Sequence, residues 1–141
     1  MDKVHSLREI KMEVDRLAAR VGAPADLLPT YGYSEDGARP HIEVDARGYH
    51  YVVVERGAEL SRIATSDFDE LLFHVFEHVT FELACQYELK HRVEHQDVRR
   101  LLFQRQIELL TMLSPVWAEM ESQDHERVLR KHPFNDSLTH T

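Results

Sequence analysis

Two segments place histidine, glutamate and histidine in the order H-x-x-E-H: His74-Val75-Phe76-Glu77-His78 and His91-Arg92-Val93-Glu94-His95. On a helix this spacing puts two imidazoles one turn apart, where they can hold zinc while the glutamate acts as base. Glu88-x-x-His91 adds half of the carboxylate–histidine set of a di-iron bundle. Each pattern is incomplete. A catalytic zinc needs a third protein ligand and an open position, and the second Glu-x-x-His that a di-iron site requires is absent. On an unbroken helix the two H-x-x-E-H segments lie roughly 25 Å apart by rise, so they cannot share an ion. With ten histidines in the chain, chance matches are common. The histidines therefore read as packing or solvent-facing residues, with no metal and no cofactor expected. A small metal-dependent hydrolase built on the pairs is the alternative.

Other chemistry has little support. There is no G-x-S-x-G, no P-loop and no dinucleotide fingerprint. Cys85 is the single cysteine, which excludes an intramolecular disulfide and a cysteine-rich zinc site. Its place among apolar helical residues suits an inert buried thiol.

These residues must be positioned by the stretch Ser66–Leu113, which holds no Gly or Pro. Ser66 is its expected N-cap, followed by Asp67, Asp69 and Glu70, carboxylates that suit a helix N-terminus. Phe68, Leu72, Val75, Phe76, Val79 and Leu83 gather on one side, while Phe73, Phe81 and Ala84 lie elsewhere. Such a helix is buried by more than one neighbour. Glu82 lies near the apolar side and calls for an arginine partner, with Arg56, Arg62, Arg99 and Arg100 as candidates. Glu94–Asp97 reads as a link, with Asp97 capping a helix that carries Leu102, Phe103, Ile107, Leu109, Leu110 and Leu113. Ser114-Pro115 opens the last helix.

Upstream, Leu7, Ile10, Val14, Leu17 and Val21 repeat at helical spacing, and Gly22 and Pro24 stop the helix. Residues 23–40 are punctuated by Pro and Gly and read as loop. Three strands follow within 41–65, joined by turns at Ala46-Arg47-Gly48 and Arg56-Gly57. The expected fold is α+β: a small antiparallel three-stranded β-meander packed on a bundle of about four helices with one long central helix. A chain of 141 residues fits one domain, divided as helix 1–22, meander 41–65, helical part 66–131 and flexible tail 135–141.

Net charge is −8, which disfavours direct nucleic-acid binding and favours a basic protein partner. Asp67, Asp69, Glu70, Glu77 and Glu82 stand in a stretch without Lys or Arg, an acidic patch for such a partner or a solvated helix face. The loop Tyr31-Gly32-Tyr33-Ser34-Glu35-Asp36 pairs tyrosines with carboxylates, a composition suited to protein recognition or to anchoring the loop itself. The start of the chain lacks the pattern of a signal peptide, and no apolar window is long enough to span a membrane. A cytoplasmic location is expected.

Several motifs together carry a resemblance: Tyr49-His50-Tyr51 leading into Glu55-Arg56-Gly57, Asp69-Glu70-Leu71-Leu72, Thr80-Phe81-Glu82-Leu83-Ala84, Gln96-Asp97-Val98-Arg99-Arg100, and Trp117. Over roughly residues 40–120 the chain resembles bacterial immunity proteins of polymorphic toxin systems, in particular the Immunity protein 63 family. The resemblance implies a small, non-enzymatic cytoplasmic protein that blocks a cognate toxin, for example a basic nuclease domain, by stoichiometric binding. The expected toxin-binding residues are Tyr31, Tyr33, Glu35, Asp36, Asp67, Asp69, Glu70 and Glu77. Glu55, Arg56, Gly57, Glu82, Asp97, Arg99 and Arg100 are expected to make turns and ion pairs of the fold. A generic protein-interaction adaptor is the remaining alternative.

Overall fold

The computed structural model describes residues 3–137. Helix α1 spans Leu7–Val21, β1 Thr30–Tyr31, β2 His41–Asp45, β3 Gly48–Glu55 and β4 Ala58–Thr65. Helices α2 (Phe68–Lys90), α3 (Val98–Leu113) and α4 (Pro115–Lys131) follow, and one 3₁₀ turn occupies Ala25–Leu27. The chain divides into two units, with the boundary inside α2 after Phe76.

In the first unit, α1 starts at Leu7, inside the expected helix 1–22, because Ser6 caps it. The Ser6 hydroxyl accepts from Glu9 N, and the Glu9 carboxylate accepts from Ser6 N, which satisfies two of the otherwise orphaned N–H groups. Gly22 in the left-handed conformation ends the helix. The buried stripe Ile10, Val14, Leu17 and Ala18 faces the sheet at β2.

The sheet is four-stranded and mixed, in the order β1-β2-β3-β4. This corrects the expected three-stranded antiparallel meander. The extra strand is Thr30–Tyr31, which runs parallel to His41–Ile42. Thr30 N donates to Pro40 O at 3.0 Å and Gly32 N to Ile42 O at 2.8 Å. Strands β2, β3 and β4 pair antiparallel, as the two short turns require. Arg56 (φ 53) and Gly57 (φ 75) form the two-residue turn whose positive dihedrals match strand twist. A bulge at Val53/Val54 leaves Leu60 exposed on the edge strand. Gly48 has φ 142, and a Cβ there would lie 2.5 Å from Thr65 O. Only glycine lets β3 begin so close to the end of β4.

Ile42, Tyr49, Tyr51 and Val52 from the sheet are buried, as are Leu71, Leu72, Phe73, Val75 and Phe76 from α2. Burial of consecutive residues on α2 fits its apolar character on several sides. The N-cap of α2 is Asp67, not Ser66: Asp67 Oδ1 accepts from Asp69 N at 2.9 Å and Glu70 N at 3.4 Å.

The second unit comprises the rest of α2 with α3 and α4. Helix α2 stops at Lys90, so α2 and α3 are separate helices. Asp97 caps α3 and Ser114 caps α4, with Pro115 in the first turn. Val79, Thr80, Ala84, Leu102, Gln106, Leu109, Leu110, Trp117 and Ala118 are buried. Phe81 and Leu89 of α2 are exposed, so the helix is not covered along its whole length.

Beyond Lys131 the chain returns to the start of α3. The side chain of Arg99 holds Asp97 through two contacts, Nη2–Oδ2 at 2.8 Å and Nε–Oδ1 at 3.2 Å. It also donates to His132 O and Pro133 O. Asp97 accepts from Asn135 N, and Asp136 accepts from Asp97 N and pairs with Arg100. The Arg100 guanidinium lies 4.1 Å from the centre of the Phe134 ring. Residues 135–137, expected as part of a flexible tail, are thus tied by Asp97, Arg100 and Asp136; residues 138–141 lie outside the described residues.

Candidate functional site

The Tyr31–Asp36 loop is a braced structure at the turn end of the β3–β4 hairpin. Asp36 (φ 59) accepts from Gly57 N at 2.6 Å and Ala38 N donates to Val54 O at 2.9 Å. The Arg39 guanidinium donates to Leu28 O, Ala25 O and the Glu35 carboxylate, each at 2.9–3.0 Å. Thr30 Oγ1 donates to Tyr33 O. With both ends held, the loop presents Tyr33, which is 61% exposed, beside the exposed Glu35 and Asp36. Tyr31 behaves differently. It is half-buried, its hydroxyl takes no hydrogen bond among the described residues, and burial, with the charge of Asp15, raises its pKa. It anchors the loop, while Tyr33 is displayed.

Asp67, Asp69 and Glu70 are exposed at the other end of the hairpin, just after β4. Eight residues of β3 separate the two ends, a length of about 23 Å along the strand. Asp67 is engaged as N-cap, and Glu70 accepts from Thr65 Oγ1 at 2.9 Å and lies 3.7 Å from His74. The expected binding residues of the first unit therefore form two acidic clusters, one braced loop and one helix terminus. Glu77 belongs to the second unit.

The histidines of the second H-x-x-E-H segment lie at and beyond the end of α2. His91 caps the end of α2 by donating from Nδ1 to Tyr87 O at 2.9 Å and stacks on the Tyr87 ring. His95 is exposed in the following link with φ 58. Among the described residues the one grouping able to hold a metal ion draws on the glutamate of the first segment, not on its histidines. It consists of Glu77, Glu121 and Asp124, with one oxygen of each within 4.8 Å of the others.

This grouping sits in a polar interior. Glu121 and His125 are buried in α4, one turn apart, with His125 Nε2 3.3 Å from Glu121 Oε1. The same nitrogen is 3.0 Å from Gln106 Oε1; facing two acceptors, it carries the proton. Phe103 stacks on the imidazole with centroids 3.9 Å apart. Gln106 Nε2 donates to Glu77 O and Thr80 Oγ1. Burial lowers the His125 pKa to about 4, which leaves the ring neutral at pH 7. Burial, and secondarily the adjacent Glu77 carboxyl, push Glu121 up to about 8. Sequence reasoning missed this cluster. The Glu121–His125 spacing was its only local trace, since Glu77 and Gln106 come from other helices.

The expected ion pairs also shift. Among the described residues Glu82 makes no ion pair. The buried carboxylates that do are Glu88, held by Arg92 at 2.8 Å, and Asp97, held by Arg99. Of the arginines considered for Glu82, Arg62 bonds Glu59 and Glu43, Arg99 bonds Asp97, and Arg100 bonds Asp136. Each of these three cations is engaged by another carboxylate, near in sequence for Arg99 and distant for Arg100.

The family model described as Immunity protein 63 matches residues 45–127, more than half of the 141 residues. The chain belongs to the Immunity protein 63 family. No curated protein and no solved structure matches it. Within the matched span, the quoted motifs now have structural roles. Glu55-Arg56-Gly57 makes the β3–β4 turn, and Asp97-Val98-Arg99-Arg100 caps α3 and clamps the segment that follows α4. The Tyr31–Asp36 loop lies before the matched residues. Among the described residues no helix is long and apolar enough to cross a membrane.

Proposed function

We propose that this member of the Immunity protein 63 family binds a cognate bacterial toxin domain and neutralises it as a stoichiometric, non-enzymatic inhibitor in the cytoplasm. The family match carries this reading. Two features support it. The net charge of −8 gives long-range attraction to a basic toxin, such as a nuclease domain. The braced Tyr31–Asp36 loop offers an exposed tyrosine flanked by carboxylates, with little ordering entropy left to lose on binding. We assign the main contact to Tyr33, Glu35 and Asp36, positioned by Tyr31. Asp67, Asp69 and Glu70 form a second acidic patch that steers the encounter. Glu77, expected at the same surface, is better accounted for by the interior of the second unit.

The test is co-expression with the toxin encoded beside this chain. The reading expects rescue of growth, co-purification in equimolar ratio, and an association rate that falls as salt is raised. Failure to protect the cells sinks it.

A further inference from the structure

Strand β4 is an open edge of the sheet. It stands last in the order β1-β2-β3-β4. Its eight residues are exposed apart from Ile63 and Thr65, which are partly covered. The opposite edge, β1, has only two residues. The register fixes where the main-chain groups of β4 point. Asp45 and Gly48 pair across a two-residue turn and so exchange both of their hydrogen bonds, and alternate pairs along the same ladder do likewise. His50 and Val52 are thereby bonded to Glu43 and His41 of β2. Their partners on β4, Ala64 and Arg62, turn N–H and C=O away from β3. Among the described residues no hydrogen bond meets those main-chain groups on the open side. The bulge lies toward the turn, at Val53/Val54, and Ser61–Thr65 keeps a regular register. Natural sheets blunt such edges with Lys, with Pro or by keeping the strand short. Residues 58–65 contain no Lys and no Pro.

We propose that the toxin adds a strand of its own to this edge, an extended segment rich in Lys and Arg that lies along Ser61–Thr65. This mode of contact rests on the toxin reading above and specifies where and how the partner is held. Position supports it. Strand β4 runs from the Arg56-Gly57 turn, where Asp36 accepts from Gly57 N, to the Asp67 cap of α2. It therefore joins the two acidic clusters, and a partner that touches both lies along it. Charge supports it as well. Residues 55–70 hold five carboxylates and two arginines, and Arg62 is already held by Glu59 and Glu43. Cationic side chains on an added strand meet the carboxylates that remain. A second copy of this chain fits poorly, because antiparallel pairing of β4 with itself sets the Glu55 and Glu59 end against Asp67 and Asp69 of the other copy, like charge on like. The main chain of Arg62 and Ala64 supplies the bonds of the added strand, and Leu60, 58% exposed, offers an apolar contact beside it.

Hydrogen exchange of the full chain, alone and with the toxin domain encoded beside it, tests this. The amides of Arg62 and Ala64 are expected to exchange rapidly in the free chain and to become protected in the complex. Ala64→Pro deletes an outward N–H that the fold does not use, and an edge strand tolerates proline there. It is expected to leave the urea midpoint near that of the wild type and to weaken toxin binding about 10–100-fold. Ala64→Ser keeps the N–H and should bind as the wild type does. If Ala64→Pro does not fold, exchange in the wild-type complex decides. A complex in which both amides keep their free exchange rates overturns the added strand while leaving toxin binding intact, and so does wild-type affinity in a folded Ala64→Pro. Protection of the same amides in the chain alone, growing with its concentration, gives the edge to a second copy and overturns it too. Absence of any complex with the wild type refutes toxin binding itself, and the strand with it.

Discussion

Replacing Asp97 by alanine tests how much of the second unit depends on one carboxylate. Asp97 is 2% exposed. Its oxygens accept from Arg99 N at 3.0 Å, from the Arg99 guanidinium at 2.8 and 3.2 Å, and from Asn135 N at 2.9 Å. Loss of the cap costs about 1 kcal/mol. Removing one partner of a buried ion pair costs about 3–5 kcal/mol, because the other charge is left unpaired. These overlap, since Arg99 N and its side chain share Asp97 Oδ1, so Asp97→Ala should lose about 3–5 kcal/mol in total. For a protein of ordinary stability, about 5–15 kcal/mol, that is a large fraction. Equilibrium urea unfolding measures it through the midpoint at constant slope. The arginine hydrogen bonds, and then the backbone N–H groups of Asn135 and Arg99, hold the Asp97 pKa far below its ordinary 3.8. A depressed carboxyl stabilises the fold above the unfolded pKa and loses that contribution as pH falls through the folded one. The gap between wild type and Asp97→Ala is therefore full at neutral pH and shrinks progressively below 3.8. A loss under about 1 kcal/mol, or a gap independent of pH, would refute the reasoning.

The remaining predictions concern the sheet, the polar interior and the loop. Gly48→Ala introduces a Cβ 2.5 Å from Thr65 O at φ 142, so thermal unfolding should show a loss of about 1–3 kcal/mol. Gln106→Leu removes the donor to Glu77 O and Thr80 and the acceptor for His125. A loss of about 1–3 kcal/mol in urea is expected, and a neutral result would mean that water replaces the amide. Tyr33→Ala should leave stability within about 0.5 kcal/mol, yet weaken toxin binding by about 2 kcal/mol or more in a titration.

Much of the frame was legible from the residues. Gly22 stops α1 and Arg56-Gly57 sets the hairpin, because each is a local signal with a local cause. Strand β1 was not legible. Two residues show no periodicity, and their partner lies eleven positions on, so only the tertiary pairing of Thr30 with His41 defines the strand. The Glu82 pair failed for a similar reason: helical position says that a carboxylate leans inward, not which arginines are free. Glu88–Arg92 could have been read from its four-residue spacing. Glu121–His125 has the same spacing, but its meaning depends on Glu77 and Gln106 arriving from other helices. Helix α2 ends at Lys90, so the second H-x-x-E-H segment lies on a link rather than on a helix face, which the unbroken Gly- and Pro-free stretch did not reveal.

The central claim is neutralisation of a toxin by direct binding, and growth rescue scored together with co-purification tests it most directly. The account predicts that cells expressing the neighbouring toxin survive when this chain is co-expressed, that the two proteins elute as one equimolar complex, and that Tyr33→Ala with Glu35→Lys abolishes both effects while the variant stays folded. Cells that die despite a well-expressed wild-type chain, with no complex recovered, would contradict it.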